Sequence, residues 1–333
     1  MLNIFETQQK LAAAFGPSGQ ENEVAGMIAE IAKPFADEVY TDRLGNLVAY
    51  KKGGGEASVM FSAHMDSIGL IVTHIDENGF LWFSQVGGLA VWRIYGSVVR
   101  FGNGTRGVVF INGKANPKEA KLSDLYIDIG APDGKTARET VSVGDVAVFD
   151  QPAFLMSGNC LASPYLDDRI ACVVLLAAMQ EIPKTANDLY FVFSSQEELG
   201  LRGAKTAAYG IAPTYGIAVD VTTSGDIPDH KPKMECRLHG GAAVKIMDAS
   251  VICHPRVVKW LEDAADREGI PRQREILQAG GTDAGAIQVA RAGVYAGAIS
   301  IPTRYIHNPV EICALDDVEA CVKLVRASCA ISL

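Results

Sequence analysis

The chain has 333 residues, 48% hydrophobic and 21% charged, enough to bury a full core in one large domain or two smaller ones. Its formal net charge is -9 and no Lys/Arg cluster occurs, so nucleic acid is excluded as an expected partner: nothing would neutralise phosphates. The longest apolar runs, such as "IACVVLLAAM", reach about half of a membrane span, which also excludes a membrane partner.

In chain order, residues 4–15 and 20–33 read as amphipathic helices divided by the "GPSG" breaker. "EVYTDRLGNLVAYKKG" has hairpin character, and "ASVMFSAHMD" carries a buried strand. From 68 to 160 the texture changes to short alternating segments punctuated by Gly, Asn and Asp, such as "IDENGFLWFS" and "VSVGDVAVFD". That pattern predicts a small β-rich unit, a barrel or a sandwich. Helix and strand then alternate. "DDRIACVVLLAAMQEI" predicts a helix, "DLYFVFS" a strand, "LRGAKTAAYG" a helix and "YGIAVDVT" a strand. "HPRVVKWLEDAADREG" and "DAGAIQVARAG" predict helices, "YAGAISIPT" a strand, and about 316–332 a last helix. The expected architecture is α/β, a mixed sheet flanked by helices formed by 1–67 and 161–333, with the β-rich insertion at 68–160 between them.

Seven cysteines are scattered, and none has C-x-x-C spacing. Reduced thiols in a cytoplasmic protein are therefore expected, not a disulfide framework or a thiolate zinc site. "MLNIFETQQKLAAAF" lacks the basic start and cleavage site of a signal peptide, in line with a cytoplasmic location.

Sites in open α/β sheets form beyond the carboxyl ends of the strands. Here "SVMFSA" ends in His64 and Asp66, "LYFVFSSQ" in Glu197 and Glu198, "GIAV" in Asp220, and "GAISIPTRY" in His307. "SPYLDDR" adds Asp167 and Asp168 at a helix start. Taken singly, each is an ordinary cap or loop residue, with Asp167 and Asp168 an N-cap pair and the two glutamates a solvated helix start. Together, two histidines and several carboxylates make a ligand set for a first-row metal.

Charge favours two ions over one. Asp167, Glu198 and Asp220 bring three negative charges, which two Zn²⁺ and a bridging hydroxide balance to about zero. Without metal the carboxylates would repel one another. A carboxylate that is not a ligand is the natural proton carrier. In "HMD", residues i and i+2 point the same way in an extended segment, so Asp66 is expected to accept the free ring N–H of His64.

His74, His230, His239 and His254 lie in loop-like or helix-start sequence and are expected to have surface or structural roles. "GGTDAGAI" (280–287) has two readings: a loop shaping the site with backbone amides, or a loop with Asp283 capping a helix.

The stretches "SAHMDSIGLIVTHIDENGF", "YLDDRIACVVLL", "YFVFSSQEELGLRGAKTAAYGI", "IAVDVT", "GGTDAGAIQVARAG" and "GAISIPTRYIHNPVE" resemble metallopeptidase family 42 over essentially the whole chain. These are the cytosolic dinuclear glutamyl or tetrahedral (TET) aminopeptidases, some once labelled endoglucanase. The resemblance implies a zinc-peptidase-like catalytic domain with an inserted PDZ-like dimerisation domain. It implies two divalent ions per subunit, Zn²⁺ first, with Co²⁺ or Mn²⁺ as alternatives. His64 and Asp220 would hold one ion, Glu198 and His307 the other, and Asp167 both. Glu197 would be general base and acid, and Asp66 would orient His64. Dimers assembling into a tetrahedral dodecamer are expected, as are short peptides as substrates. Departures from the family pattern are Ser67 after "HMD", "GGAAV" at 240–244, and the lack of a Pro-His pair near "NGKANPKEA".

The expected activity is removal of N-terminal residues by metal-assisted hydrolysis. A deacylase or carboxypeptidase on the same centre is the alternative enzyme, and an inactive assembly homologue the alternative from another class. Endoglucanase chemistry, which uses two carboxylates flanking a sugar without metals, is not expected.

Overall fold

The computed structural model describes residues 2–330 except 56, 114, 115, 117, 118, 183 and 184. Four of those lie in "NGKANPKEA", so the departure noted there falls largely outside the described residues.

An 11-stranded mixed sheet runs through the larger unit among the described residues. Its centre is four parallel strands, in the spatial order Asp188–Ser194, Ser58–His64, Tyr215–Thr223 and Tyr295–Arg304. Register pairs Ser194 with His64 and Asp220 with Ser300, so the carboxyl ends of these strands open on one rim. The alternation in "SVMFSAH" explains the two layers. Val59, Phe61 and Ala63 face the larger helical layer, while Met60 faces the smaller one. Phe61 and Phe191 stack at 5.5 Å and are fully buried, each contributing about 1.5–3 kcal/mol of burial.

The helix Leu166–Gln180 is buried from Leu166 through Met179. A helix apolar all round must be central, and it packs between the sheet, the helix Ile4–Ala13 and the helix Leu315–Cys329. The smaller layer holds Arg202–Ile211 and Asp283–Gln288. The latter is shorter than the predicted 283–293, because after Gln288 the chain turns and Val289 is left exposed.

Three strands were not expected. Ala242–Met247 and Arg272–Ile276 pair in parallel beside Tyr295–Arg304, and Glu311–Ala314 pairs with that strand's end. Their sequences hide the pattern, since Lys245 and Glu275 are fully buried as an ion pair at 2.5 Å. Of the departures, "GGAAV" supplies the first strand here. Gly241 has φ +84 and sits against the Pro271 carbonyl, where no Cβ fits.

The β-rich stretch closes into a six-stranded barrel. Its strands are Gly69–Ile75, Leu81–Val86, Leu125–Asp128, Arg106–Ile111, Val98–Phe101 and Val146–Phe149, in that spatial order. It has its own core, including Leu70, Leu81, Val99, Phe101 and Ile127. Phe154–Met156 and Cys160–Ser163 already belong to the large sheet. Among the described residues no helix is long and apolar enough to cross a membrane.

Candidate metal centre

The parallel strands deliver the polar residues to one rim. His64 closes its strand, and Glu197 and Glu198 follow Ser194 by three and four residues. His307 follows the strand Tyr295–Arg304. Asp220 lies inside its strand instead of beyond it, its side chain buried toward the same rim. Asp167 sits in the first turn of the central helix with extended backbone angles (φ -77, ψ 104), which turn it out of the helical ladder. Tyr165, Gln196 and His307 all have positive φ, a strained choice for non-glycine residues.

Asp167 is the hub. Its Oδ1 lies 3.0 Å from His64 Nε2, and its Oδ2 lies 3.2 Å from His307 Nε2. His307 Nε2 is also 3.3 Å from Glu198 Oε2. Two donor groups result, His64–Asp167–Asp220 and Asp167–Glu198–His307, with the donor atoms of each within 4.8 Å of one another. Glu197 belongs to neither, although its Oε2 is 3.8 Å from His64 Nε2.

Neighbouring groups hold these side chains in place. His64 Nδ1 is 3.1 Å from the Asp66 backbone carbonyl and 3.4 Å from the Asp66 carboxylate. The ring N–H thus has both Asp66 oxygens in reach, the carbonyl the nearer and the carboxylate expected for it close behind, which leaves Nε2 facing the site. The Asp66 carboxylate also accepts from Glu197 N–H at 2.9 Å, Glu198 N–H at 3.2 Å and the Ser18 hydroxyl at 2.6 Å.

Three buried carboxylates have positioning jobs that the sequence did not disclose. Glu311 accepts Asp167 N–H with one oxygen and His307 N–H with the other, both at 2.8 Å. Asp168 accepts His64 N–H at 3.1 Å. Asp283 accepts the hydroxyls of Ser62 and Ser194, both at 2.6 Å, while Thr282 performs the helix capping foreseen for Asp283. Gly280 and Gly281 from the same loop do line the cavity. The available signal was position: Glu311 lies four residues after His307, and Asp168 directly after Asp167.

Electrostatics agree with a site built for cations. Burial pushes Glu197 well above the usual carboxylate range, and pushes Asp220 up to about 8 with help from the Asp167 charge. Burial also raises Glu198, whose Oε1 is buried without any hydrogen-bond partner. Burial opposes a charge on His307, yet Asp167 and Glu198 hold it up at about 11. An orphaned carboxylate oxygen, two imidazole nitrogens and a carboxylate within reach of both suit divalent metal binding.

The other histidines stay apart from this group. His254 caps the helix Pro255–Glu268, His239 pairs with Asp316 at 3.0 Å, His230 bonds the Pro232 carbonyl, and His74 is exposed on the barrel. Ser67 is buried away from the donors, its hydroxyl directed at the Gly16 carbonyl.

The centre lines a cavity of about 650 Å³ between the two units. Gly87 and Gly88, which leave the barrel, pass so close that a Cβ at Gly87 would lie 2.8 Å from Glu198 Oε2. One at Gly88 would lie 2.9 Å from His307 Nδ1.

Comparison with known proteins agrees over nearly the full length. The M42 glutamyl aminopeptidase family model matches residues 45–324. The lysyl aminopeptidase of Pyrococcus furiosus is 35% identical over 336 residues, covering 97% of this chain and 96% of that one. An aminopeptidase from the archaeon Desulfurococcus kamchatkensis superposes with a TM-score of 0.94 at 38% identity, covering 98% of this chain and 94% of that one. The TET1 peptidase of Pyrococcus horikoshii, which assembles into a tetrahedron or a large octahedral shell, gives 0.88 at 32% identity, with 99% and 100% covered. The chain belongs to the M42 glutamyl aminopeptidase family.

Proposed function

We propose that this aminopeptidase removes N-terminal residues from short peptides at a centre of two divalent ions, with Glu197 carrying the proton. The observation that supports this best is Asp167, whose two oxygens address two different histidines while Glu197 stands outside both donor groups. His64 and Asp220 would hold one ion, Glu198 and His307 the other, and Asp167 both. Ions held there, Zn²⁺ first and Co²⁺ or Mn²⁺ as substitutes, supply a water of depressed pKa and a polarised scissile carbonyl.

The protein's part is positioning and proton transfer. Asp66 fixes the backbone of Glu197, and burial gives that carboxylate a high proton affinity. Glu197 takes the proton of the attacking water and returns it to the leaving amine, a role that contributes about 10²–10⁴-fold. Asp168 and Glu311 hold the backbone of His64, Asp167 and His307 while this happens.

The barrel, within the insertion 68–160, is proposed to make the dimer contact, and dimers to build a tetrahedral dodecamer. Support comes from the shells formed by the Pyrococcus horikoshii relative. The barrel strand Arg106–Ile111 exposes Val108 and Phe110, and the edge strand Phe154–Met156 exposes all three of its apolar residues. A bare apolar barrel face and a bare apolar edge strand are normally covered. Seven free, buried cysteines fit a cytoplasmic setting.

The test is a panel of aminoacyl p-nitroanilides with free or acetylated amines, assayed with Zn²⁺, Co²⁺ and Mn²⁺. Hydrolysis of the free-amine substrates alone is expected. Hydrolysis confined to acetylated substrates would overturn the reading in favour of a deacylase.

A further inference from the structure

Among the described residues, the cavity has one cation that the hydrolytic centre does not use. Apart from the donor groups and Glu197, the lining side chains are uncharged except for Arg93. Arg93 comes from the short helix Val91–Ile94, which follows the barrel strand Leu81–Val86. Its Nη1 donates to the Ile306 carbonyl at 3.4 Å, one residue from His307, and its guanidinium lies 4.7 Å from the centre of the Trp92 ring. Among the described residues no carboxylate pairs with it, and it is exposed.

A guanidinium has five N–H donors in a rigid fork that matches a carboxylate. One weak bond to a carbonyl leaves most of that fork unused, and the aromatic face steadies its plane. A basic substrate side chain, by contrast, meets no lining carboxylate that is free of the donor groups and Glu197.

We propose that Arg93 is a specificity-determining residue that binds a substrate carboxylate in this cavity. Two sources share that chemistry: the C-terminus of a short peptide, or an acidic side chain on the leading residue. The inference rests on the aminopeptidase reading above and adds the substrate class to it. Binding to a charged partner at a solvent-exposed rim corresponds to about tenfold in kcat/KM, expressed mainly in KM.

The test is steady-state kinetics of wild type, Arg93→Met and Arg93→Lys on two matched pairs, Leu-Gly-Gly with its C-terminal amide and Glu-p-nitroanilide with Gln-p-nitroanilide. Wild type is expected to favour the carboxylate-bearing member of one pair by about tenfold. Arg93→Met should collapse that ratio toward one, and Arg93→Lys should restore part of it. Collapse in the tripeptide pair identifies the C-terminus as the group bound, and collapse in the anilide pair identifies an acidic leading residue. Ratios that are the same in wild type and Arg93→Met, with turnover present, would overturn the Arg93 assignment alone. If wild type hydrolysed none of the four, the proposed function would fall and this assignment with it.

Discussion

Asp66 Oδ1 accepts the backbone N–H of Glu197 at 2.9 Å, while its Oδ2 accepts the next N–H along, that of Glu198, at 3.2 Å. One carboxylate thus sets the turn in which two adjacent glutamates diverge. Glu198 enters a donor group and Glu197 does not. The Ser18 hydroxyl, at 2.6 Å, holds Asp66 from the other side.

Asp66→Asn keeps the size but turns one acceptor oxygen into a donor. One of the two N–H groups, or the Ser18 hydroxyl, is then left unsatisfied, at about 1–3 kcal/mol. Metal affinity should fall roughly 10–100-fold, as for other groups that orient ligands. Chelator competition measures this, and wild-type affinity would exclude the positioning role.

Glu311→Gln acts on two ligands at once. Its carboxylate joins the backbones of Asp167 and His307, and an amide can accept from only one of them. The loop bearing His307 is the more exposed, so it should be the one released. The expected outcome is metal loss from the Glu198–His307 side, with Tm lowered by a few degrees. A thermal melt together with metal analysis checks both.

Glu198→Ala removes a donor but leaves Glu197 and its backbone bond to Asp66. Bound metal should drop from two ions per subunit toward one, measured by elemental analysis after dialysis. Two retained ions would remove Glu198 from the ligand set.

The grouping of His64, Asp167, Glu198, Asp220 and His307 was legible because carboxylates and histidines at or near the carboxyl ends of apolar strands are anomalies, and the parallel strands bring those ends to one rim. What it could not disclose depends on register and side-chain direction. Asp66 reaches Glu197 only because Ser194 lies beside His64 in the sheet. Glu311 and Asp168 look like ordinary polar residues until their oxygens are seen on ligand backbones. The strands Ala242–Met247 and Arg272–Ile276 were illegible because buried Lys245 and Glu275 interrupt the apolar alternation. Arg93 belongs by sequence to the β-rich stretch, and only the packing of the barrel against the sheet brings it to the cavity.

Glu197→Gln tests the central claim most directly, with turnover and metal content measured on the same sample. Gln is nearly isosteric with Glu but cannot carry the proton. The account predicts kcat on a free-amine aminoacyl substrate lowered by about 10²–10⁴-fold, with two ions per subunit retained. Wild-type turnover in a fully loaded Glu197→Gln sample would contradict it.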